Sequence, residues 1–289
     1  MTVGASHQRW WNRLFVSPAI LTLLVLGLYP LLFILAAAFS DSSLGRPFAS
    51  WVGTDTIESV LTDGDVTASL VRTVVYAVIT SIASLVLGVA AALALHGAAI
   101  RGSLVRTVLL LPLLVPPVIV GTLWKQVFAP GGLVATITGT TIAPLSSTAW
   151  ALPAIAAADV WEWTPLVTVL VFAALLSQDA QTTEAARLDG AHGWTLLRHI
   201  TWPAISGVAA SAFFIRLVLA FKVFDLVFVM TSGGPGQATT TTSYVIYQAA
   251  LREFDVGRAS VITVLLALIV TVITVPVAIF TRRLQRNHD

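Results

Sequence analysis

Cysteine is absent from this 289-residue chain, which excludes disulfides, thiolate metal sites and a cysteine nucleophile. Charge is scarce too. Only 10% of residues are Asp, Glu, Lys or Arg, against about 25% in soluble domains, too few to coat a soluble globule of this size. Motif chemistry is missing as well: there is no G-x-x-x-x-G-K-[ST] to cradle nucleotide phosphates, no H-E-x-x-H and no G-x-S-x-G. An intramembrane hydrolase would need a Ser–His pair or paired aspartates within apolar segments. His96 lies at the end of an apolar run and the other histidines lie in polar stretches, so an enzyme has little support. No catalytic, cofactor-binding or metal residues are assigned, and there is nothing to suggest nucleic-acid binding.

What the chain has in abundance is apolar sequence: 57% of residues are hydrophobic and the mean hydropathy is +0.89. This identifies an integral, all-α, polytopic membrane protein. Six stretches are long and apolar enough to span about 30 Å of hydrocarbon: Leu14–Phe39, Val71–His96, Thr107–Ala129, Trp150–Leu176, Ala204–Thr231 and Ser260–Thr281. The first follows Arg9 and Arg13 and precedes "AAAFS", as a signal peptide would. Its apolar run exceeds the 7–15 residues of such a region, and we read it as a retained helix. In the third, Pro112, Pro116 and Pro117 remove backbone donors and should kink or break the helix. The polar ends are short, so any energy source or soluble ligand trap is expected to be another protein.

Orientation follows from the basic residues. With the N-terminus inside, the inner segments carry Arg9, Arg13, Arg101, Arg106, Arg187, Arg198, Arg282, Arg283 and Arg286, and the outer ones Arg46, Arg72, Arg252 and Arg258. The first outer loop is acidic, with Asp41, Asp55, Glu58, Asp63 and Asp65. Both termini are therefore expected in the cytoplasm.

Six ionisable residues fall within spans: Lys125, Asp159, Glu162, Arg216, Lys222 and Asp225. Charges in a bilayer are costly and should face protein or a water-filled cavity. Three are acidic and three basic, so they can neutralise one another across helices. Asp159 with Glu162, and Lys222 with Asp225, are three apart and would share a helix face. Aromatics interleave with them: Trp161 and Trp163 in "DVWEWTP", and Phe221, Phe224 and Phe228 in "FKVFDLVF". Rings beside hydrogen-bonding groups suit a sugar, whose C–H face is apolar and whose rim is hydroxyl. Trp161, Trp163, Lys222, Phe224 and Asp225 are the candidate walls of a solute path. Structural ion pairing and an interfacial aromatic belt explain the same residues and remain open.

One polar insert interrupts the apolar runs, "TEAARLDGAHGWTLLRHITWP", Thr183–Pro203, on the inner side. Thr183 is a plausible N-cap, with Glu184 in the first turn where the helix dipole favours a carboxylate. Gly190 can end that helix in the left-handed conformation. A second short helix is expected from Trp194, with Pro203 marking where the next span begins. Ala185, Ala186 and Leu188 would present a small apolar face, which reads as a docking surface.

Glu184-Ala185-Ala186, three residues, Gly190, nine residues, then Ile200-x-Trp202-Pro203 resembles the E-A-A-x3-G-x9-I-x-L-P loop of binding-protein-dependent ABC transporter permeases. Trp202 stands where that family usually has Leu. "WVGTDTIESVLTD", "LLLPLLVPPVIVGTLWKQVF", "VWEWTPL", "TSGGPGQATTT" and "REFDVGRAS" are similar to segments of its carbohydrate-uptake branch, the maltose-, trehalose- and glycerol-phosphate-type permeases. The resemblance implies a single transmembrane permease domain over 1–289 with a cytoplasmic coupling loop at about 178–203. It implies a bacterial cell membrane and four kinds of partner: a second, homologous permease subunit, two ATP-binding subunits that hold the ATP and Mg, an extracytoplasmic substrate-binding protein, and the lipid bilayer. Glu184, Ala185, Ala186, Leu188, Asp189 and Gly190 would couple the chain to the ATPase. The Ser232–Gly236 loop would be flexible and near the binding-protein face, or a plain turn. The cargo implied is a di- or oligosaccharide such as trehalose or maltose. A glycerophosphodiester or amino sugar on the same architecture is the alternative. A secondary transporter would be expected to work alone and often shows inverted repeats, of which we find none.

Overall fold

The computed structural model describes residues 4–97, 103–139 and 143–286; Arg101, counted above among the inner arginines, lies outside them. Helices dominate. Among the described residues, five are long and apolar enough to cross a membrane, and a sixth crossing is reached if one bent pair counts as a single span. Most of each apolar stretch read from sequence is helical, because a chain in hydrocarbon must satisfy its own backbone groups. The chain divides into two compact units.

The first unit comprises Met1–Val66 and Ile246–Leu266. Helix α1 (Gly4–Ala38) leads into a short antiparallel hairpin, β1 (Ser40–Ser43) and β2 (Arg46–Trp51), then α2 (Asp55–Thr62). Asp63 receives Arg258 Nη2 at 2.6 Å, and Leu44 N–H donates to the Phe254 carbonyl at 3.3 Å. Gly257 packs so closely on the hairpin that a Cβ there would lie 2.7 Å from the Ser40 carbonyl oxygen.

The second unit comprises Thr67–Val245 and Ala267–Asp289. Helix α3 (Gly64–Gly97) supplies most of its length to this unit. It is joined by α4 (Ser103–Leu114), α5 (Pro117–Val127), α6 (Leu133–Thr138), α7 (Ala151–Leu176), α8 (Ala180–Leu188), α9 (Trp194–Leu196), α10 (Trp202–Ala220) and α11 (Asp225–Met230). Further on lie α12 (Thr242–Tyr247) and α13 (Val256–Arg286). Its apolar core joins Ala92 to Val167, Val171 and Leu175 and to Ile205, Ala209 and Ala212. Small residues let the backbones approach, since van der Waals packing holds helices together where lipid is as apolar as Leu. A Cβ at Gly88 would sit 2.6 Å from Val167 Cβ and 3.2 Å from the Thr164 carbonyl. Gly88→Ala should therefore destabilise the fold by about 1–3 kcal/mol through overpacking, although Ala is the better helix former. The check is the thermal midpoint in detergent, which should fall.

Three segments interrupt the helical runs; one departs from the sequence reading, and two fall within the alternatives it leaves open. The third apolar stretch breaks, one of the two outcomes expected of its prolines: Thr107–Leu114 and Pro117–Val127 meet at 106°, because Pro116 and Pro117 leave no donors to carry the ladder across. The fifth does not run unbroken to Thr231. Its helix stops at Ala220 and restarts at Asp225, so Lys222 and Asp225 do not share a helix face. The carbonyls released there are taken by hydroxyls, Thr241 Oγ1 donating to Val223 at 3.2 Å and Ser243 Oγ to Phe221 at 3.5 Å. Ser232–Gly236 is the plain turn of the two alternatives, held by hydrogen bonds. Thr239 Oγ1 donates to the Gly234 carbonyl at 2.8 Å and Thr240 Oγ1 to that of Gly233 at 3.1 Å. Arg72 Nη1 reaches the Thr240 carbonyl at 2.5 Å and Thr242 N–H donates to Thr73 Oγ1 at 2.8 Å. The "TTTTS" run is thus a hydroxyl clamp on two stretches of irregular backbone.

Candidate functional site

The intramembrane charges gather around α7. Asp159, Glu162 and Trp163 lie three and four residues apart, on one face of that helix. Arg216 of α10, fully buried, ion-pairs with Asp159 through Nη2. Its Nε donates to Ser84 Oγ of α3 at 3.2 Å, and its guanidinium lies 5.9 Å from the Trp163 ring centroid, within cation–π range. Tyr76 and Thr80 of α3 stand beside the Asp159 carboxylate. A buried arginine is tolerable only when paired and hydrogen-bonded, and here two other helices, α7 and α3, supply the partners.

Pairing between the fourth and fifth spans, one of the readings open from the sequence, occurs once; the remaining charges do not neutralise one another. Among the described residues, Arg216–Asp159 is the one ion pair they form. Lys125 donates instead to the Val229 carbonyl at 3.0 Å. Lys222, in the turn that replaces the helix, is exposed. Glu162 is 3% exposed and its Oε2 has no hydrogen-bond partner.

Beside this pair lies a cavity of about 180 Å³, with Pro117, Asp159, Glu162, Trp163, Lys222, Phe224 and Asp225 on its wall. Four of the five residues expected to line a path therefore meet: Trp163, Lys222, Phe224 and Asp225. Trp161 does not join them. It points to the other side of α7 and packs edge-to-face on Trp124, ring centroids 5.9 Å apart, as two residues' offset around a helix requires. Phe224 is brought in by the helix break and stacks on Phe228 at 5.5 Å and Tyr244 at 6.4 Å. Sequence reasoning missed Pro117, at the start of α5. It also missed the α3 hydroxyls Thr80 and Ser84, whose signal was a hydroxyl row at helical spacing in an apolar run.

The polar insert is built as two helical pieces with an elbow, but its start differs from expectation. Helix α8 begins at Ala180, and Asp179 is its N-cap, the carboxylate accepting from Gln181 N–H at 2.9 Å. Thr183 is therefore not the cap and Glu184 is not in the first turn, because Asp179, itself a strong capping residue, takes the orphan donor four residues earlier. The end matches the reading. Gly190 has φ +86°, and Ala191 N–H donates to Ala186 O at 2.9 Å while Gly190 N–H donates to Arg187 O at 3.1 Å, the paired bonds of a Schellman stop. Leu188 is 89% exposed, and Glu184, Ala185 and Asp189 are exposed beside it. The second piece is not a separate short helix. From Trp194 the chain passes through a π turn, Leu197–Thr201, straight into α10; the wider turn absorbs the donor lost at Pro203.

Residues 84–287 match the model of the family described as binding-protein-dependent transport system inner membrane component. The chain is 31% identical over 269 residues to a probable ABC transporter permease, y4oQ, of Sinorhizobium fredii, covering 91% of this chain and 87% of the relative. It is 29% identical over 255 residues to the trehalose transport system permease SugA of Mycobacterium tuberculosis, covering 88% and 82%. Its fold is similar to that in the crystal structure of a bacterial ABC transporter involved in import of the acidic polysaccharide alginate, with TM-score 0.85, 21% identity and 96% of each chain covered. The apolar helices, the family match and these relatives lead to one assignment: the chain belongs to the binding-protein-dependent ABC transporter permeases, and is a multi-pass inner-membrane transport subunit rather than an enzyme.

Proposed function

We propose that this chain forms half of the translocation path of an ATP-driven importer for a di- or oligosaccharide such as trehalose or maltose. The observation that carries the reading is the chamber at the break after α10, where the rings of Trp163 and Phe224 stand beside the carboxylates of Glu162 and Asp225. An aromatic face with acceptors at its edge suits a sugar. Its volume, about 180 Å³, falls below the roughly 300–1,000 Å³ of complete ligand sites, as expected of a chamber that a second permease subunit completes. The trehalose permease relative supports the same class of cargo.

In this reading ATP and Mg belong to two partner ATP-binding subunits, and an extracytoplasmic binding protein delivers the solute. The α8 helix and its glycine stop, Glu184 to Gly190, project into the cytoplasm with both termini on that side, and dock on the ATPase. An exposed helix ending in Leu188 supports this, since an isolated apolar side chain in water gains by burial against a partner. Beyond the elbow, the unbroken run from Trp194 through the π turn into α10 supports transmission, because α10 carries Arg216 and ends at the chamber.

The test is uptake of labelled trehalose and maltose by the complete transporter carrying Trp163→Ala or Asp225→Ala. Both should lower uptake about tenfold or more while ATP hydrolysis by the complex persists, the loss expected when a buried polar or aromatic contact worth roughly 1.5 kcal/mol or more is removed. Asp225→Ala is the cleaner arm, because Trp163 also covers Arg216. Unchanged uptake in both would make the cluster structural, and uptake of a glycerophosphodiester or amino sugar instead would select the alternative cargo.

A further inference from the structure

The chamber wall is unevenly charged. Asp159 is neutralised by Arg216, which leaves Glu162 and Asp225 against Lys222 alone. Lys222 is exposed, and among the described residues it forms no ion pair. Glu162 is buried and one oxygen of its carboxyl lacks a partner, and the cavity it lines is bounded by that side chain. Buried polar atoms are nearly always bonded, so an orphan at a cavity wall points to a group that arrives from outside the chain. With acceptors on the wall, the arriving group must donate: a hydroxyl or an amine. A phosphate or carboxylate would bring a second negative charge beside a carboxylate that is itself buried, where screening is weaker than in bulk water.

We infer that Glu162 makes this chamber a charge filter, which takes solutes bearing hydroxyl or amine donors and excludes anionic ones such as sugar phosphates and uronates. The inference rests on the solute-path reading above and names the residue and the sign of its selectivity. The solved neighbour with the same fold concerns an acidic polysaccharide, so the fold itself does not set the sign; the wall residues do.

The chain holds no cysteine, so Leu219→Cys places a single thiol on the chamber wall. In membranes carrying the full transporter, its labelling rate is measured with cationic 2-aminoethyl and anionic 2-sulfonatoethyl methanethiosulfonate. Each rate is divided by that for a free small thiol. The reagents are similar in size, so access cancels and the ratio reports local potential. A cation-to-anion preference of about tenfold is expected from one uncompensated nearby carboxylate, and adding Glu162→Gln should reduce it at least threefold. A ratio at or below one, or a ratio indifferent to Glu162→Gln, overturns the inference. So does failure of both reagents to label, since the chamber would then be closed to solute. If Leu219→Cys does not accumulate, Phe224→Cys on the same wall takes its place. Lost trehalose and maltose uptake by the parent with the ratio intact would refute the sugar reading and leave the filter standing; normal uptake without the ratio would do the reverse.

Discussion

Arg216→Met is expected to cost the fold about 3–5 kcal/mol, seen as a collapse in the yield of monodisperse protein and a large drop in thermal midpoint in detergent. Arg216 is fully buried and its guanidinium ties α10 to Asp159 on α7 and Ser84 on α3. Removing it strands the Asp159 carboxylate, 5% exposed, without a counter-charge. That loss is a large part of a typical net stability of roughly 5–15 kcal/mol. The sign of the companion experiment differs. Arg216→Met combined with Asp159→Leu removes both charges and should recover most of the loss, since apolar replacement of a buried pair is often neutral or stabilising. If Arg216→Met alone melts with the parent, the pair is not what holds these helices together.

The second large effect is functional. Glu184→Lys should leave the subunit folded and assembled but reduce uptake by about a hundredfold or more, because reversing a charge at a docking contact that accommodates a carboxylate costs several kcal/mol. Folding should survive: Glu184 is exposed, mid-helix in α8, and Lys is nearly as good a helix former. Glu184 and Leu188 are four apart and share the exposed face, so the change reverses charge beside the apolar contact. Co-purification of the ATP-binding subunits checks assembly, and uptake of labelled sugar checks coupling. Normal uptake would remove Glu184 from the coupling surface. The dipole argument for this residue does not apply, since Asp179 begins the helix; what remains is surface charge.

That displaced cap illustrates what was legible. Gly190 was read correctly because a helix stop is a local matter: a glycine after the last helical turn adopts φ +86° at no steric cost. The start is not a local matter, because Asp179 and Thr183 both cap well, and the choice depends on where α7 ends, which it does at Leu176. Trp161 was grouped with Trp163 by closeness in sequence, yet two residues along a helix turn a side chain away from its neighbour's face. Lys222 and Asp225 were paired by a spacing that holds only inside a continuous helix, and the helix breaks between Ala220 and Asp225.

By itself the sequence determined that the chain lives in a membrane, since too few charges remain to hydrate a soluble surface. It also determined where the helices run, since twenty apolar residues in hydrocarbon have few other ways to satisfy their backbone. The exposed insert and its glycine stop were legible for the same reason, being set by residues a few positions apart. Only the tertiary structure decided which intramembrane charges pair and which stay free. Arg216 is 57 residues from Asp159 and 132 from Ser84, and the hydroxyls that permit the break at Phe221–Phe224 come from Thr241 and Ser243. Those partners are chosen by packing across helices, which leaves an unbonded oxygen on Glu162, a residue of the chamber wall.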